Sequence, residues 1–475
     1  MMGGGMSTGA PSAGSGATQV GLTPTGSRFE LQVATGERGQ LATAWLWLAI
    51  AALLISGVFS ILLVAARTPF IQGLMPGVDF FRVALVVHVD MSVLVWFAAF
   101  TSVLWSLAGS QRWQGLAWAA WLLAALGTVG MALAPFIDPG TPIMANYVPV
   151  IDSTVFLWGL TVFGAGFGLT ALRALVVPQR VGLNLAADGA LRFGLNAAAV
   201  AAAMALLALG WSWHTVPTTL DTRTYYELLF WGPGHVIQFC WSLIMLIAWL
   251  WLASLSGARV PLTPRVVVIL FGIGLATVFT TAPIYLAFDV TSVEHQKLFT
   301  WQMRFGGGLA IVPVALAVLL GLFRAERIGR TLHPCHTALL ASLLLFGAGG
   351  VIGFMIQGSD VRVPAHYHGS IVGITLALMG LTYALLPRLG FDAPLPRMAA
   401  WQPAVYGAGQ LMHITGLVWS GGYGVQRKVA GTEQVLRSSS EVAGMALMGA
   451  GGLVAVIGGL IFAVVVFRLL RGGRA

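Results

Sequence analysis

The sequence predicts an all-α integral membrane protein in which about twelve transmembrane helices form one bundle. Of its 475 residues, 57% are hydrophobic and only 9% are charged, and the mean hydropathy is +0.86. A water-soluble domain does not have this composition. Apolar stretches of about 20 residues or more recur along the chain. These stretches are too long and unbroken for barrel strands, so their backbone hydrogen bonds must be satisfied within helices.

The chain divides into a short polar tail and a membrane domain. Residues 1–40 are rich in Gly, Ser and Thr, which predicts a disordered cytoplasmic tail, and residues 41–475 contain the spans. Many spans contain Gly and Ala, which favours close helix packing in lipid. The predicted spans are 41–66, 81–108, 114–135, 150–176, 190–213, 225–256, 264–287, 300–323, 335–357, 366–387, 400–420 and 443–470.

The distribution of Lys and Arg sets the orientation. An even number of spans places both termini on one side of the membrane. If that side is the cytoplasm, most of the 25 Lys and Arg residues fall on inner segments, as the positive-inside rule requires. We therefore expect a protein of the bacterial inner membrane with both termini cytoplasmic. The net charge of +9 is explained by this topology and does not indicate a nucleic-acid partner.

Four histidines of the spans share one depth. His88 lies early in span 2, His235 lies in span 6, and His366 and His368 open span 10, so all four fall in the outer half of the bilayer. Histidine is costly in a bilayer and usually marks function there. Scattered core histidines would have no reason to share a depth. His413, near the middle of span 11, can be a lone histidine that hydrogen-bonds a backbone carbonyl.

His366 and His368 point in opposite directions. A helix turns about 100° per residue, so two positions separate side chains by roughly 200°. One metal ion fits this geometry poorly, whereas two flat cofactors on either side of the helix fit it well. Haem is flat and apolar, and its iron takes axial histidine. Its propionates seek cations, which Arg362 and the pair Arg427-Lys428 supply on the outer side, although such loop charges can also simply be solvated.

Several motifs together resemble subunit I of the haem–copper oxidase superfamily, which includes cytochrome c oxidases and nitric oxide reductases. The resemblance extends from about residue 41 to the C-terminus. The motifs are Val87-His88-Val89-Asp90-Met91, Trp231-Gly232-Pro233-Gly234-His235, His366-Tyr367-His368 and the basic pair Arg427-Lys428.

The resemblance implies roles for the histidines and the basic pair. His88 and His368 would be the axial ligands of a low-spin haem, and His366 the proximal ligand of a high-spin haem. His235 would bind a second metal facing that haem, so His366 and His235 would be the catalytic residues. Arg427, Lys428 and Arg362 would hold propionates, and the haems would lie towards the periplasm.

The second metal site departs from the pattern of the family. The copper of the family takes two further, adjacent histidines near span 7, and this chain has no His-His pair. Asp289, Glu294 and His295 lie nearby and can form a mixed site with His235, because oxygen ligands suit iron better than copper. These three can also be ordinary polar loop residues. The second metal is therefore expected to be copper or non-haem iron, or to be absent.

The leading function is that of an aerobic respiratory-chain subunit that passes electrons from a c-type cytochrome or quinol to O2, with further oxidase subunits as partners. Tyr285 and Tyr367 are candidates for the redox-active tyrosine of many oxidases. One alternative is a nitric oxide reductase-like enzyme that reduces NO with non-haem iron. Another is a catalytically silent two-haem protein for electron transfer or sensing. A secondary transporter is disfavoured because the chain shows no obvious repeat. Since no CxxCH motif occurs, any c-type haem must belong to another chain.

Overall fold

The molecule is built from long helices that follow one another through short connections. A computed structural model describes residues 26–71, 78–325, 333–430 and 433–471. The helices are α1 (Glu37–Arg67), α2 (Phe80–Ala108), α3 (Gln114–Ile137), α4 (Thr154–Val176), α5 (Ala187–Thr215), α6 (Thr222–Leu255), α7 (Pro264–Ala287), α8 (Val293–Phe323), α9 (His333–Phe354), α10 (Arg362–Arg388), α11 (Pro396–Gly421) and α12 (Ser439–Arg471).

Three helices change their winding along their length. A π-helical turn occupies Asp90–Val95 in α2 and another occupies Gln302–Gly306 in α8, while α7 contains a 3₁₀ turn at Thr277–Thr280. π-Helical turns occur mostly as single-turn bulges inside α-helices, and they are frequent at functional sites. The turn in α2 begins two residues after His88.

A small hairpin lies in the connection between α3 and α4. Strand β1 (Thr141–Ile143) pairs antiparallel with β2 (Val150–Asp152), with Pro142 opposite Ile151. The hairpin loop contains Asn146 and Tyr147, which approach α6. The connection is therefore an ordered part of the fold.

Eleven helices of the described residues are long and apolar enough to cross a membrane, which confirms the predicted all-α membrane bundle. The predicted span 400–420 falls in α11, which is 26 residues long and is not among the eleven. α11 carries the polar side chains of Gln402, Gln410 and His413, and all three are buried. Because these side chains face protein, α11 does not need the apolar composition of a lipid-facing helix.

Two helices form the centre of the bundle. In α6 and α10, 83% and 89% of the residues in the most apolar stretch are buried, whereas the other nine candidate spans are 61% buried or less. Central helices contact protein on all sides. Their side chains are thus available to build a site, and these two helices carry His235, His366 and His368.

Glycines allow the closest helix contacts. A Cβ on Gly349 of α9 would overlap the backbone of Gly369 and Ser370 in α10, and a Cβ on Gly451 of α12 would overlap the backbone of His413 in α11. Such small residues let helix backbones approach in lipid, where packing and interhelical hydrogen bonds hold helices together. Both contacts lie beside histidines of the candidate site.

The N-terminal segment corrects one prediction. Residues 26–40 were expected in a disordered tail, but Ser27 forms a β-bridge with Val260, and the Phe29 amide donates to the Ser254 hydroxyl at 2.6 Å. Phe29 and Leu31 are buried, and residues from Glu37 onwards belong to α1. The apolar side chains alternate with polar ones, as in an extended segment with one buried face. Residues 1–25 of the predicted tail lie outside the described residues.

Candidate functional site

His88 is held against α1. Its Nδ1 lies 3.1 Å from the Ser56 carbonyl oxygen and 2.9 Å from the Ser56 hydroxyl, which also donates to the carbonyl oxygen of His88 at 3.0 Å. Ser56 is buried, so water does not compete for these contacts. A neutral imidazole that donates from Nδ1 has its lone pair on Nε2.

His366 is held by α9. Its Nδ1 lies 2.7 Å from the carbonyl oxygen of Gly349, the glycine at the close contact between α9 and α10. The carbonyl can reach the imidazole because no side chain separates the two backbones. The helix contact and the orientation of His366 therefore depend on the same residue.

His368 is held by α11, on another side of α10. Its Nδ1 lies 3.3 Å from the Gln410 side-chain oxygen, and its ring centroid is 4.7 Å from that of His413. His88 is close enough to His368 for direct electrostatic interaction. The structure thus groups His88, His368 and His413, while His366 contacts a different neighbour, in agreement with the opposite directions expected for the pair.

His235 is held within its own helix and covered by aromatic rings. Its Nδ1 lies 2.7 Å from the carbonyl oxygen of Trp231, and its ring centroid lies 4.6 Å from that of Tyr147 and 4.8 Å from that of Trp231. A Cβ on Gly234 would overlap the ring of Tyr147, and one on Gly232 would overlap the Tyr285 hydroxyl. The glycines of the motif therefore make room for two tyrosines around His235.

These histidines are chemically suited to hold iron or another metal through Nε2. Each Nδ1 of His88, His235, His366 and His368 has an oxygen acceptor at 2.7–3.3 Å. Among the described residues, no hydrogen bond to Nε2 of these four rings is found. Metal-binding histidines characteristically donate their other ring N–H to such an acceptor, which fixes the tautomer and the ring plane. The residues present therefore fit the haem ligands that the sequence predicts.

His295 differs from the other histidines. It is buried, and neither ring nitrogen has a hydrogen-bond partner within the described part of the chain. The rings of His295 and His235 both pack against Phe299, at 4.9 and 6.2 Å between centroids, and the two histidines interact electrostatically. An unsatisfied buried imidazole is costly and calls for a ligand or a water. His235 and His295 are the two site histidines brought together here.

Both carboxylates of the predicted mixed site are exposed, and that of Asp289 is held in a local turn. Asp289 is exposed, and its Oδ1 accepts hydrogen bonds from the Thr291 hydroxyl at 2.6 Å and the Thr291 amide at 2.8 Å, which lower the pKa of the carboxyl. Glu294 is exposed in the first turn of α8. Across residues 26–71, 78–325, 333–430 and 433–471, no group of three or more His, Cys, Asp or Glu residues is arranged to hold a metal ion.

The three predicted propionate cations lie around the N-terminal end of α10 and are engaged with protein groups. Arg362 forms an ion pair with Asp360 at 2.5 Å, and Arg427 donates to the Ser359 hydroxyl at 3.1 Å. Lys428 donates from Nζ to the Met144 carbonyl oxygen at 2.5 Å and to the Asn146 side-chain oxygen at 3.2 Å.

Residues beyond the motifs join this region. Asn146 also donates from its side chain and from its amide to the Glu227 carboxylate, which links Lys428 to α6. Tyr147 and Glu227 had no signal in the sequence, since neither belongs to a motif and their partners lie far along the chain. Only the fold of the hairpin between α3 and α4 brings them to the site.

Burial lowers the pKa of the Lys428 ammonium from its usual 10.5 to about 8. The unfolded chain then binds more protons than the folded chain between these values, so the protein is expected to gain stability as pH rises from about 8 towards 10. Thermal unfolding of the detergent-solubilised wild type and of Lys428→Met across this range measures the effect. The unfolding temperature of Lys428→Met should rise less over this pH range than that of the wild type. An equal rise in both proteins would contradict a lowered pKa of Lys428.

Comparisons with known proteins agree with the fold and with the sequence motifs. The family model for Cytochrome C and Quinol oxidase polypeptide I matches residues 40–461. An uncharacterized protein of Rickettsia prowazekii is 29% identical, with 89% of this chain and 94% of that protein aligned. Cytochrome c oxidase subunit 1 of Thermus thermophilus is 24% identical, with 76% of this chain and 71% of that protein aligned.

A solved structure supports the fold independently. A cryo-EM structure of a haem–copper terminal oxidase dimer superposes with a TM-score of 0.69 at 17% identity, covering 93% of this chain and 85% of that chain. At this identity the match concerns the fold. Together with the family match over residues 40–461, it shows that the chain belongs to the family of cytochrome c and quinol oxidase polypeptide I, subunit I of the haem–copper oxidases.

Proposed function

We propose that this chain is the haem-bearing subunit of a respiratory oxidoreductase of the bacterial inner membrane. It takes electrons from a c-type cytochrome or a quinol and passes them through a low-spin haem to a high-spin haem site that reduces O2. Further oxidase subunits and lipid surround it, both termini are cytoplasmic, and the haems lie towards the periplasm. The observation that carries the proposal is the shared anchoring of His88, His366 and His368, each through Nδ1 on an oxygen acceptor.

Each histidine and each basic residue of the site has a separate role in this proposal. His88 and His368 hold the low-spin iron, and His366 holds the high-spin iron. When bound, the two haems supply one-electron transfer and a gas-binding position. His235 and His295 bind the second metal, and the anchoring of His235 by the Trp231 carbonyl keeps its ring plane fixed. Arg427, Lys428 and Arg362 supply positive charge near the propionates.

A catalytically silent two-haem protein is the second candidate. It is favoured by the metal geometry, because the described residues offer His235 and His295 but no third His, Cys, Asp or Glu arranged with them for a metal ion. A nitric oxide reductase-like enzyme would need Asp289 or Glu294 as an oxygen ligand, and this requires a rearrangement of the connection between α7 and α8.

Haem and metal content of the purified protein separates these functions. Two haems per chain with copper and O2 consumption support the oxidase; non-haem iron with NO consumption supports the reductase-like enzyme. Two haems per chain without copper or non-haem iron, and without consumption of O2 or NO, support the catalytically silent two-haem protein. A pyridine haemochrome assay that finds no haem would rule out all three.

Replacing His88 by alanine tests the assignment of the low-spin haem. We expect loss of the six-coordinate low-spin spectrum, while the CO-binding haem on His366 remains, because the two histidines lie on different helices with different anchors. Optical and EPR spectra with and without CO give the measurement. If CO binding disappears and the low-spin signal survives, the roles of His88 and His366 are exchanged.

A further inference from the structure

His413 is a buried histidine that the proposed function does not use. It lies on α11, is 7% exposed, and has the same kind of anchor as the proposed haem ligands, since its Nδ1 lies 3.0 Å from the Met448 carbonyl oxygen of α12. Among the described residues, no hydrogen bond to its Nε2 is found. A neutral imidazole donating from Nδ1 keeps a lone pair on Nε2, which is the form that binds iron.

His413 is packed closely against α12 and lies near α1. A Cβ on Gly451 would overlap its backbone, and one on Gly452 would lie 3.4 Å from its Nδ1 and against Val64 of α1. The ring therefore sits where α1, α11 and α12 meet, next to the site of His88 and His368. His413 thus has the carbonyl partner expected of a structural histidine, and its ring also contacts that of His368, a proposed iron ligand.

His368 is in ring contact with His413 and is the most loosely anchored of the proposed haem ligands. The two ring centroids are 4.7 Å apart with the planes at 50°, and His88 interacts electrostatically with both rings. The contact from Nδ1 of His368 to Gln410 is 3.3 Å, the longest of the Nδ1 contacts, whereas that of His413 is 3.0 Å. Gln410 and His413 lie one helical turn apart on α11, so one helix presents both the anchor of His368 and a second imidazole.

We propose that His413 is an alternative axial ligand of the low-spin haem iron and exchanges with His368 while His88 keeps the other position. This inference rests on the proposed two-haem function. In the exchange, the bond from iron to Nε2 of His368 breaks and a bond to Nε2 of His413 forms. Both imidazoles are neutral and keep their Nδ1 proton, so no proton, electron or co-reactant is consumed.

Haem spectroscopy of four purified proteins tests the exchange. The wild type must contain two haems per chain by pyridine haemochrome, and failure of that measurement counts against the proposed function itself. With two haems present, His368→Ala is expected to keep a low-spin haem and one CO-binding haem per chain. His368→Ala/His413→Ala should lose the low-spin spectrum and either gain a second CO-binding haem or retain one haem per chain. His214→Ala, at an exposed histidine at the end of α5, is the control.

Two results would overturn the proposal. One is loss of the low-spin spectrum in His368→Ala alone, and the other is its persistence in the double variant. If His368→Ala does not accumulate, Gln410→Ala gives a second test, because it removes the acceptor that holds His368 and leaves both histidines. We expect a new low-spin EPR species in Gln410→Ala that is absent from Gln410→Ala/His413→Ala; identical spectra for these two variants would also overturn the proposal.

Discussion

Replacement of His366 by alanine is expected to abolish CO binding and gas reduction while the low-spin haem remains. His366 is the single proposed ligand of the high-spin iron, and its anchor on Gly349 is separate from the groups that hold His88 and His368. Loss of the only protein ligand leaves that haem without a fixed position. O2 and NO consumption should fall to background, and the haem content should drop towards one per chain.

The control for this variant is His336→Ala, which changes a half-buried histidine near the start of α9. It should keep both haems and the wild-type rate. The assignment of His366 fails if His366→Ala still binds CO at one haem per chain, or if the low-spin spectrum disappears instead. Measurement of the CO difference spectrum and the haemochrome on the same sample distinguishes these outcomes.

Replacement of Gly349 by valine is expected to disrupt the same haem from the neighbouring helix. A Cβ at this position would overlap the backbone of Gly369 and Ser370, so α9 and α10 must separate. Overpacking of this kind typically costs about 1–3 kcal/mol and sometimes more. Separation of the helices also removes the Gly349 carbonyl from His366, which lies 2.7 Å away. We therefore expect a lower unfolding temperature and loss of the CO-binding haem.

Gly347→Val is a matched control on the same helix. A Cβ on Gly347 has no atom within 4 Å, so this variant adds the same side chain without the overlap. Its haem content and unfolding temperature should stay close to those of the wild type. Equal behaviour of the Gly349 and Gly347 variants would show that the close contact does not position His366.

The sequence predicted the candidate haem ligands because their signals are local. His366 and His368 are two residues apart on one helix, so helical geometry alone separates their directions, and hydropathy places His88 and His235 at the same depth. The structure brings His368 within range of electrostatic interaction with His88 and gives His366 a different anchor. The metal roles of these residues, and of His295, stay predictions that metal analysis and spectroscopy decide.

Other features could not be read from the sequence because they depend on distant partners. Phe29 and Leu31 are buried, and the Phe29 amide donates to Ser254 near the C-terminal end of α6, although both residues belong to a segment whose composition indicated disorder. Tyr147 covers His235 only because the hairpin between α3 and α4 folds towards α6. Asp289 is close to His295 in sequence, yet its carboxylate is satisfied by Thr291 in a local turn.

The sequence by itself determined the membrane bundle, the positions of the spans and the helices that carry the histidines. These properties follow from hydrophobicity and helical periodicity, which are fixed by residues near one another in the chain. Only the tertiary structure decided which oxygen anchors each Nδ1, that His413 lies against His368, and that His235 and His295 pack against the same Phe299 ring. Those arrangements depend on contacts between helices that are far apart in the chain. Helix packing determines these contacts, and the local sequence pattern does not predict them.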